Sequence, residues 1–412
     1  MIKLFKIALR NLIRFKRRTL LTTSLIAIGV LFVMVFIAAS SSFNNIIIGQ
    51  ITDSMLGHIQ VHKRGYMASI DSLPLTLNLS EKGWKKFQSI AEKIPEIESI
   101  SPRIKFGGMF SNYMDSTNIR INGVYPDMEI ATIPLLLARV KGGEKTIKKG
   151  EILIPELLAT GLKVKAGDSV VVIATNKDGS VNGKQFRVSG IIESVTGPGG
   201  RDGYIHIEDA RDILRMEELE VSEVAIRIND FSKLNKINDK LTEELSGSKN
   251  KQGKQAFDVR TWEKLSPFYN ISKMIDIMTI FIKIMLIAIV LVSIMNVMIM
   301  AVYERIREIG TISALGTMPE KILALFLIEG FSLGVAGVIV GNLLAGFSIF
   351  LMNVIEITFN FSRQTGYVLS PELKAGDIIF VSVVVIVMSV FATLQPAIKA
   401  AKMEPVDALR HV

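Results

Sequence analysis

The chain has 412 residues, 49% of them hydrophobic, a formal net charge of +9 and no cysteine. The missing thiol excludes disulfides, cysteine-ligated zinc or iron–sulfur centres and thiol nucleophiles. The positive charge suggests nucleic acid at first, but much of the excess hugs apolar blocks and the rest is interleaved with acids, so nucleic acid is not an expected partner.

Residues 1–18 come first. Lys3, Lys6, Arg10, Arg14 and Arg17 fall on one stripe of a helical wheel, with Ile2, Phe5, Leu9, Leu12 and Phe15 on the other side. That period predicts an amphipathic helix lying on the inner leaflet. Residues 19–42 are predicted to span the bilayer, since an uncharged apolar run of roughly 18 or more residues suffices. The run is too long for the apolar core of a cleaved signal peptide. Seven cations and no acid precede Thr19, which predicts a cytoplasmic N-terminus.

Residues 43–273 are expected to fold outside the membrane as an α+β domain. Ser80 starts a helical period over 80–94, and "IESISPRIKFGGMFS" and "STNIRINGVY" alternate as paired strands. Residues 151–192 read as a short helix and two strands joined around Asp178-Gly179. "SEVAIRIND", "FSKLNKINDKLTEEL" and "QAFDVRTWE" then read as strand, helix, strand. Two strand–helix units thus flank a β-rich insertion at about 140–215, which predicts one discontinuous subdomain with a second inserted in it.

Chemistry is sparse here. His58 and His62 share a strand face, but no third ligand stands nearby and His206 is remote, so no metal site is predicted. "GPGGRDG", at 197–203, reads as a loop because no Lys-Ser/Thr follows it. No G-x-x-x-x-G-K-[ST] occurs anywhere, which excludes ATP hydrolysis by a Walker A route. No H-E-x-x-H and no nucleophile–base arrangement is present, and no catalytic residue is predicted.

The rest divides into a second span at 274–303, a charged segment at 304–321, a third span at 322–355, an outer loop at 356–377, a fourth span at 378–398 and a cytoplasmic tail at 399–412. Glu329 in the third span either faces the bundle or is hydrated near the interface. Gly330 and Gly334, then Gly337 and Gly341, form G-x-x-x-G pairs, compatible with packing within or between subunits. Met34, Phe36, Phe281 and Met285 are soft apolar residues that suit acyl chains of varied shape, or ordinary helix packing. In the charged segment, Glu304, Arg305, Arg307 and Glu308 are spaced to pair along a helix and to extend the second span. Ile309, Ile312 and Leu315 follow as apolar residues. Gly310 and Gly316 permit close approach and chain reversal, and Pro319 restarts a helix.

Two motifs carry a family resemblance. "ERIREIGTISALGTMPEKI" is similar to the cytoplasmic segment, and "LQPAIKAAKMEPVDALR" to the C-terminal signature, of the FtsX-like permeases of ABC transporters. That group includes the MacB exporter and the LolC/LolE lipoprotein-release permeases. "LKVKAGDSVVVI" and "DGYIHIEDARDILRM" resemble the lipoprotein-release branch. The resemblance covers essentially the whole chain. It implies an α-helical membrane protein with four spans and a large extracytoplasmic domain of porter-like and sabre-like parts, in the bacterial cytoplasmic membrane. It implies no cofactor in this chain, with ATP and Mg bound by a partner ABC ATPase, and a second permease chain, identical or not. Glu304, Arg305, Arg307, Glu308, Ile309, Gly310, Ile312, Leu315 and Gly316 would then couple the ATPase to the membrane. The implied function is lipoprotein release, with a MacB-like exporter or mechanotransmission complex, or a membrane-anchored scaffold, as alternatives. The loop "TNKDGSVNGKQ" is short and polar where the LolC type has a longer hairpin that recruits a soluble periplasmic carrier.

Overall fold

The computed structural model describes residues 2–194, 202–249, 253, 255–361 and 364–403. Residues 197–201 of the glycine-rich loop, the end of the C-terminal motif and the Lys3 side chain lie outside the described residues. The chain forms two units. One holds residues 1–45, 273–359 and 368–412, the other 46–272 and 360–367.

In chain order the elements are α1 (Ile2–Arg14), α2 (Lys16–Ile51), β1 (Ile59–Lys63), α3 (Glu81–Ala91), β2 (Ile97–Ser111), β3 (Ser116–Val124), α4 (Pro126–Thr132), β4 (Val140–Gly143), β5 (Glu151–Pro155), α5 (Glu156–Leu162), β6 (Ser169–Thr175), β7 (Val181–Ile192), β8 (Asp202–His206), α6 (Ile207–Leu214), β9 (Glu223–Ile228), α7 (Leu234–Ser246), β10 (Phe257–Thr261), α8 (Trp262–Leu265), α9 (Tyr269–Glu304), α10 (Ile306–Ala314), α11 (Pro319–Ile355), β11 (Thr358–Phe361), β12 (Gln364–Val368) and α12 (Ala375–Ala401).

The second unit is built on a split β-α-β pair. β1, α3 and β2 form one half, and β9, α7 and β10 the other, with neighbouring strands antiparallel in the order β10-β1-β9-β2. The inserted strands join this same sheet. β2 makes the connection: residues 97–103 pair with β9, whereas residues 108–111 pair with β6. Its other side pairs with β3 from Arg103 to Ser111. The two predicted subdomains therefore share one ten-stranded sheet. The inserted part begins with β3 at Ser116, earlier than residue 140, because the far half of β2 already pairs within it. α6 packs closely under β3, where Gly123 leaves room for Ala210 that a Cβ would fill. Ile104, Phe106, Phe110, Phe186 and Ile205 form the centre of the core there. Ser80 caps α3 by accepting from the Gly83 amide at 3.3 Å.

The alternate residues of β2 carry a buried polar network on the opposite face of the sheet. Arg103 donates to Glu129 of α4 at 3.0 Å and to Glu223 of β9 at 2.8 Å, and all three are buried. Ser101 adds a 2.6 Å bond to Glu129, and Lys105 lies 3.1 Å from Glu223. Burial alone would push the Glu223 carboxyl up; Lys105 and Arg103 outweigh it and hold the group down at about 2. His62 is buried on β1, stacked on Tyr66 at 5.3 Å, and burial pushes its pKa down to about 4.

These shifts fix a pH dependence. His62 charges more readily in the unfolded chain, so its contribution is complete above about pH 6.5 and is lost as pH falls toward about 4. About 3 kcal/mol is at stake. Glu223 acts lower: its contribution is present above about pH 4.5 and lost as pH falls through about 2. Both tryptophans, Trp84 and Trp262, lie in this unit, so intrinsic fluorescence of the full chain follows it. Denaturation midpoints should fall from pH 7 to pH 4.5, and His62→Phe, which keeps the stack, should flatten that fall. An unchanged slope in His62→Phe would assign the effect elsewhere.

Among the described residues the first unit contains four helices long and apolar enough to cross a membrane. The predicted interfacial helix ends at Arg14, and α2 begins at Lys16. Only part of α1 is free to face lipid. Ala8 and Leu12 are buried and Asn11 hydrogen-bonds a residue of α11, whereas Phe5, Ile7, Leu9 and Ile13 are exposed. α1 thus serves the bundle as well as its surface.

Candidate functional site

The charged segment between the second and third spans is the most chemically specific part of the helical unit. α9 runs to Glu304 and stops. Arg305, at φ −108° and ψ 17°, leaves the helix, and α10 starts at Ile306. The expectation of one stiff helix continuing from the second span is corrected here. At the break the Arg305 side chain turns inward.

Arg305 is buried against Glu329 of α11, itself fully buried, with Nη1 donating to Oε1 at 2.9 Å. Asn11 of α1 donates to the same oxygen at 3.0 Å. Arg18 of α2 stands 3.9 Å from Oε2. The Phe15 ring covers the Arg305 guanidinium at 4.2 Å, a cation–π contact. Glu329 therefore faces the bundle rather than water. The hinge, α1 and α2 thus converge on one carboxylate of α11, with both hydrogen bonds on Oε1 and none on Oε2.

The neighbouring charges also reach across helices. Glu304 lies 4.0 Å from Arg18 and Glu308 lies 3.6 Å from Arg14. Arg307 is exposed. Gly310 is buried beside Ile309 on the inner side of α10. Ile309 joins the bundle core with Ile322 and Phe326, so it is not a free docking residue as expected. Ile312, Leu315 and Met318 are exposed, Leu315 at 82%.

The end of α10 is fixed by its backbone. Gly316 has φ +88°, its amide donates to Ser313 at 2.9 Å, and the Thr317 amide donates to Ile312 at 3.3 Å. This is a Schellman closure with glycine in the left-handed position. Pro319 then opens α11.

All four predicted packing glycines serve contacts within this chain. A Cβ at Gly330 or Gly334 would collide with Thr393 or Ser389 of α12. One at Gly337 or Gly341 would collide with Ile26 or Val30 of α2. α11 thus presents one pair to each neighbour. Gly29 plays the same part between α2 and Val290 of α9, a contact no G-x-x-x-G spacing signals.

The candidate substrate-path residues separate. Phe281 and Met285 are exposed, at 68% and 46%, and Phe36 is half-buried. Met34 is buried in the bundle core beside Val30 and Val33, so it cannot line an outer path and is withdrawn from that set. The loop between β6 and β7 is a tight turn: Asn176 Oδ1 accepts from the amides of Asp178 at 3.1 Å and Ser180 at 2.9 Å. Among the described residues no group of three His, Asp or Glu side chains could hold a metal ion.

A family model described as the MacB-like periplasmic core domain matches residues 19–244, and one described as the FtsX-like permease C-terminal matches residues 280–405. The chain is 24% identical over 415 residues to the lipoprotein-releasing system transmembrane protein LolC of Neisseria meningitidis, covering 95% of this chain and 94% of that one. It is 25% identical over 347 residues to the protein of the same name from Xylella fastidiosa, covering 80% and 81%. The crystal structure of the periplasmic region of MacB from Actinobacillus actinomycetemcomitans aligns over 50% of this chain and 89% of its own, at 14% identity and a TM-score of 0.36.

Proposed function

This chain belongs to the family of permeases in which a MacB-like periplasmic core domain is followed by an FtsX-like C-terminal region, and on that basis we propose that it is the membrane subunit of an ABC transporter, moved by a separate ATPase that binds ATP and Mg. The observation that carries the reading is the apolar group of Ile312 near the end of α10, Leu315 at its C-cap and Met318 at the N-cap of α11, all exposed around the turn that Gly316 closes. Exposed apolar residues grouped at one helix–turn–helix corner mark an interaction surface. The ATPase docks there.

Leu315→Asp should reduce ATPase retention on the detergent-solubilised permease by tenfold or more, because burying a Leu contributes about 1.5–3 kcal/mol and an unpaired charge adds a penalty. Ile309→Asp is no substitute, since it would disrupt the chain's own core. Wild-type retention by Leu315→Asp would remove the docking assignment. Failure of the wild-type chain to capture any ATPase would favour a scaffold.

Seven cations before Thr19 and the basic residues after the fourth span favour cytoplasmic termini. The native chain lacks cysteine, so single cysteines report cleanly. One at the exposed Met114 should react with an impermeant maleimide on intact spheroplasts, and one at Thr317 should not. The reverse pattern would invert the topology.

The substrate class proposed is lipoproteins of the inner membrane, released by motion of the extracytoplasmic domain. Similarity to LolC proteins over most of the chain supports it. Two permease chains would assemble, identical or not, and a periplasmic carrier would receive the client. The self-capped turn after Asn176 favours a second reading, an exporter or mechanotransmission complex with no carrier captured at that hairpin. Lipidated protein co-purifying with the complex would support release; its absence alongside a bound ATPase would support the second reading.

A further inference from the structure

The polar knot around Glu329 holds more cation than one carboxylate needs. Arg305 is closely engaged, at 2.9 Å. Arg18 is not: its guanidinium lies 3.9 Å from Glu329 and 4.0 Å from Glu304, and its Nη1 and Nη2 are buried without a hydrogen-bond partner. Arg18 thus stands between two acids and grips neither. Its position on α2 is held independently, because its carbonyl accepts from Thr22 at 2.9 Å and its guanidinium lies 5.3 Å from the Phe15 ring. Arg305, by contrast, sits on the hinge between α9 and α10, where helical hydrogen bonding restarts with the Ile309 amide donating to the Arg305 carbonyl at 2.9 Å.

A buried carboxylate left without a cation is strongly disfavoured, and the neutral Asn11 amide that also donates to Oε1 supplies no charge. Any displacement of α10 that pulls Arg305 from Glu329 therefore needs a substitute cation at the same carboxylate. Arg18 is within about one ångström of a hydrogen bond to the free oxygen, Oε2, which accepts no bond in this state.

We propose that Glu329 is a shared pivot whose partner changes during the transport cycle: Arg305 holds it when α10 is at rest, and Arg18 takes it when the ATPase displaces α10. The exchange keeps the carboxylate paired in both states, so the bundle has two discrete arrangements instead of a soft hinge. Glu304, left by Arg18, stays about half exposed and is solvated by water. This deepens the coupling role above and rests on it: Arg18, Arg305 and Glu329 are positioning residues for force transfer and touch neither nucleotide nor client.

The two arginines then have opposite effects, which a purely structural role does not give. With nitroxide labels at Arg10→Cys on α1 and Thr311→Cys on α10, both exposed, the complex with its ATPase in nanodiscs should show one distance peak without nucleotide and a second with ATP and vanadate. Arg305→Met should show the second peak without nucleotide. Arg18→Met should keep the resting peak and lose the nucleotide-induced one. Should Arg305→Met not assemble, Arg305→Lys, which keeps the charge but loses the planar guanidinium and its contact with the Phe15 ring, should give a partial second peak. Arg18→Met responding to ATP like the wild type, or both arginine variants shifting the same way, overturns the exchange. ATPase binding with no second peak in the wild type overturns it while leaving the docking reading intact. No ATPase binding at all overturns both.

Discussion

Arg103→Met should consume most of the stability of the extracytoplasmic domain at neutral pH. The substitution fits the volume but strands Glu129, fully buried, with only the Ser101 hydroxyl, and leaves Glu223 with Lys105 alone. Removing one partner of a buried ion pair costs about 3–5 kcal/mol, and Arg103 serves two acids at once. A domain has about 5–15 kcal/mol in total, so most of it is consumed. Tryptophan emission should shift to the red and proteolysis within residues 46–272 should accelerate, while the helical unit stays in the membrane. Arg103→Met/Glu129→Gln should recover part of the loss, because it withdraws the charge along with its partner. A single variant as stable as the wild type would show that the network contributes nothing net, as some buried pairs do not.

The membrane class was legible because length and apolarity suffice to define a span; the four helices need no tertiary information. The α+β character of the domain was legible from period alone. What sequence could not show lies in pairings across the chain. β2 reads as a single strand, and nothing in "IESISPRIKFGGMFS" says that its two ends have different neighbours, which is what fuses the two parts into one sheet. Arg305 and Glu329 are 24 residues apart on different helices. Four clustered charges read as pairs along one helix continuing the second span, because spacing cannot distinguish a side chain that turns inward at a break. Met34 was misplaced for another reason: a helix apolar on every side carries no face in its sequence, so burial of Val30, Val33 and Met34 and exposure of Phe32 became visible only in the packed bundle. The glycine pairs were legible as close contacts, but their partners were not.

Client capture should concentrate on α9. It is the least covered of the four apolar helices, with 11% of its most apolar window buried against 28%, 39% and 44% for the others. Ile277, Phe281, Ile284, Ala288 and Val292 are all exposed and recur three or four residues apart, so they form a stripe. In a bilayer that stripe meets lipid, a second permease chain or an acyl chain of a client. The three occupants give different products. Photo-crosslinkers at Phe281 and Met285 in the ATPase-bound complex should capture a lipid-modified protein in the absence of nucleotide and lose most of that product with ATP and vanadate. A crosslinker at Met34 should find only this chain's own helices, because that side chain packs in the core. Val383 and Val387 of α12 are exposed too, and they should capture bulk lipid regardless of nucleotide. A product at Phe281 consisting only of a second permease chain would make α9 the dimer seam and leave no lateral entry on this face. Equal, nucleotide-insensitive lipid capture at Phe281, Met285, Val383 and Val387 would remove the lipoprotein reading and favour mechanotransmission without a path through the bilayer.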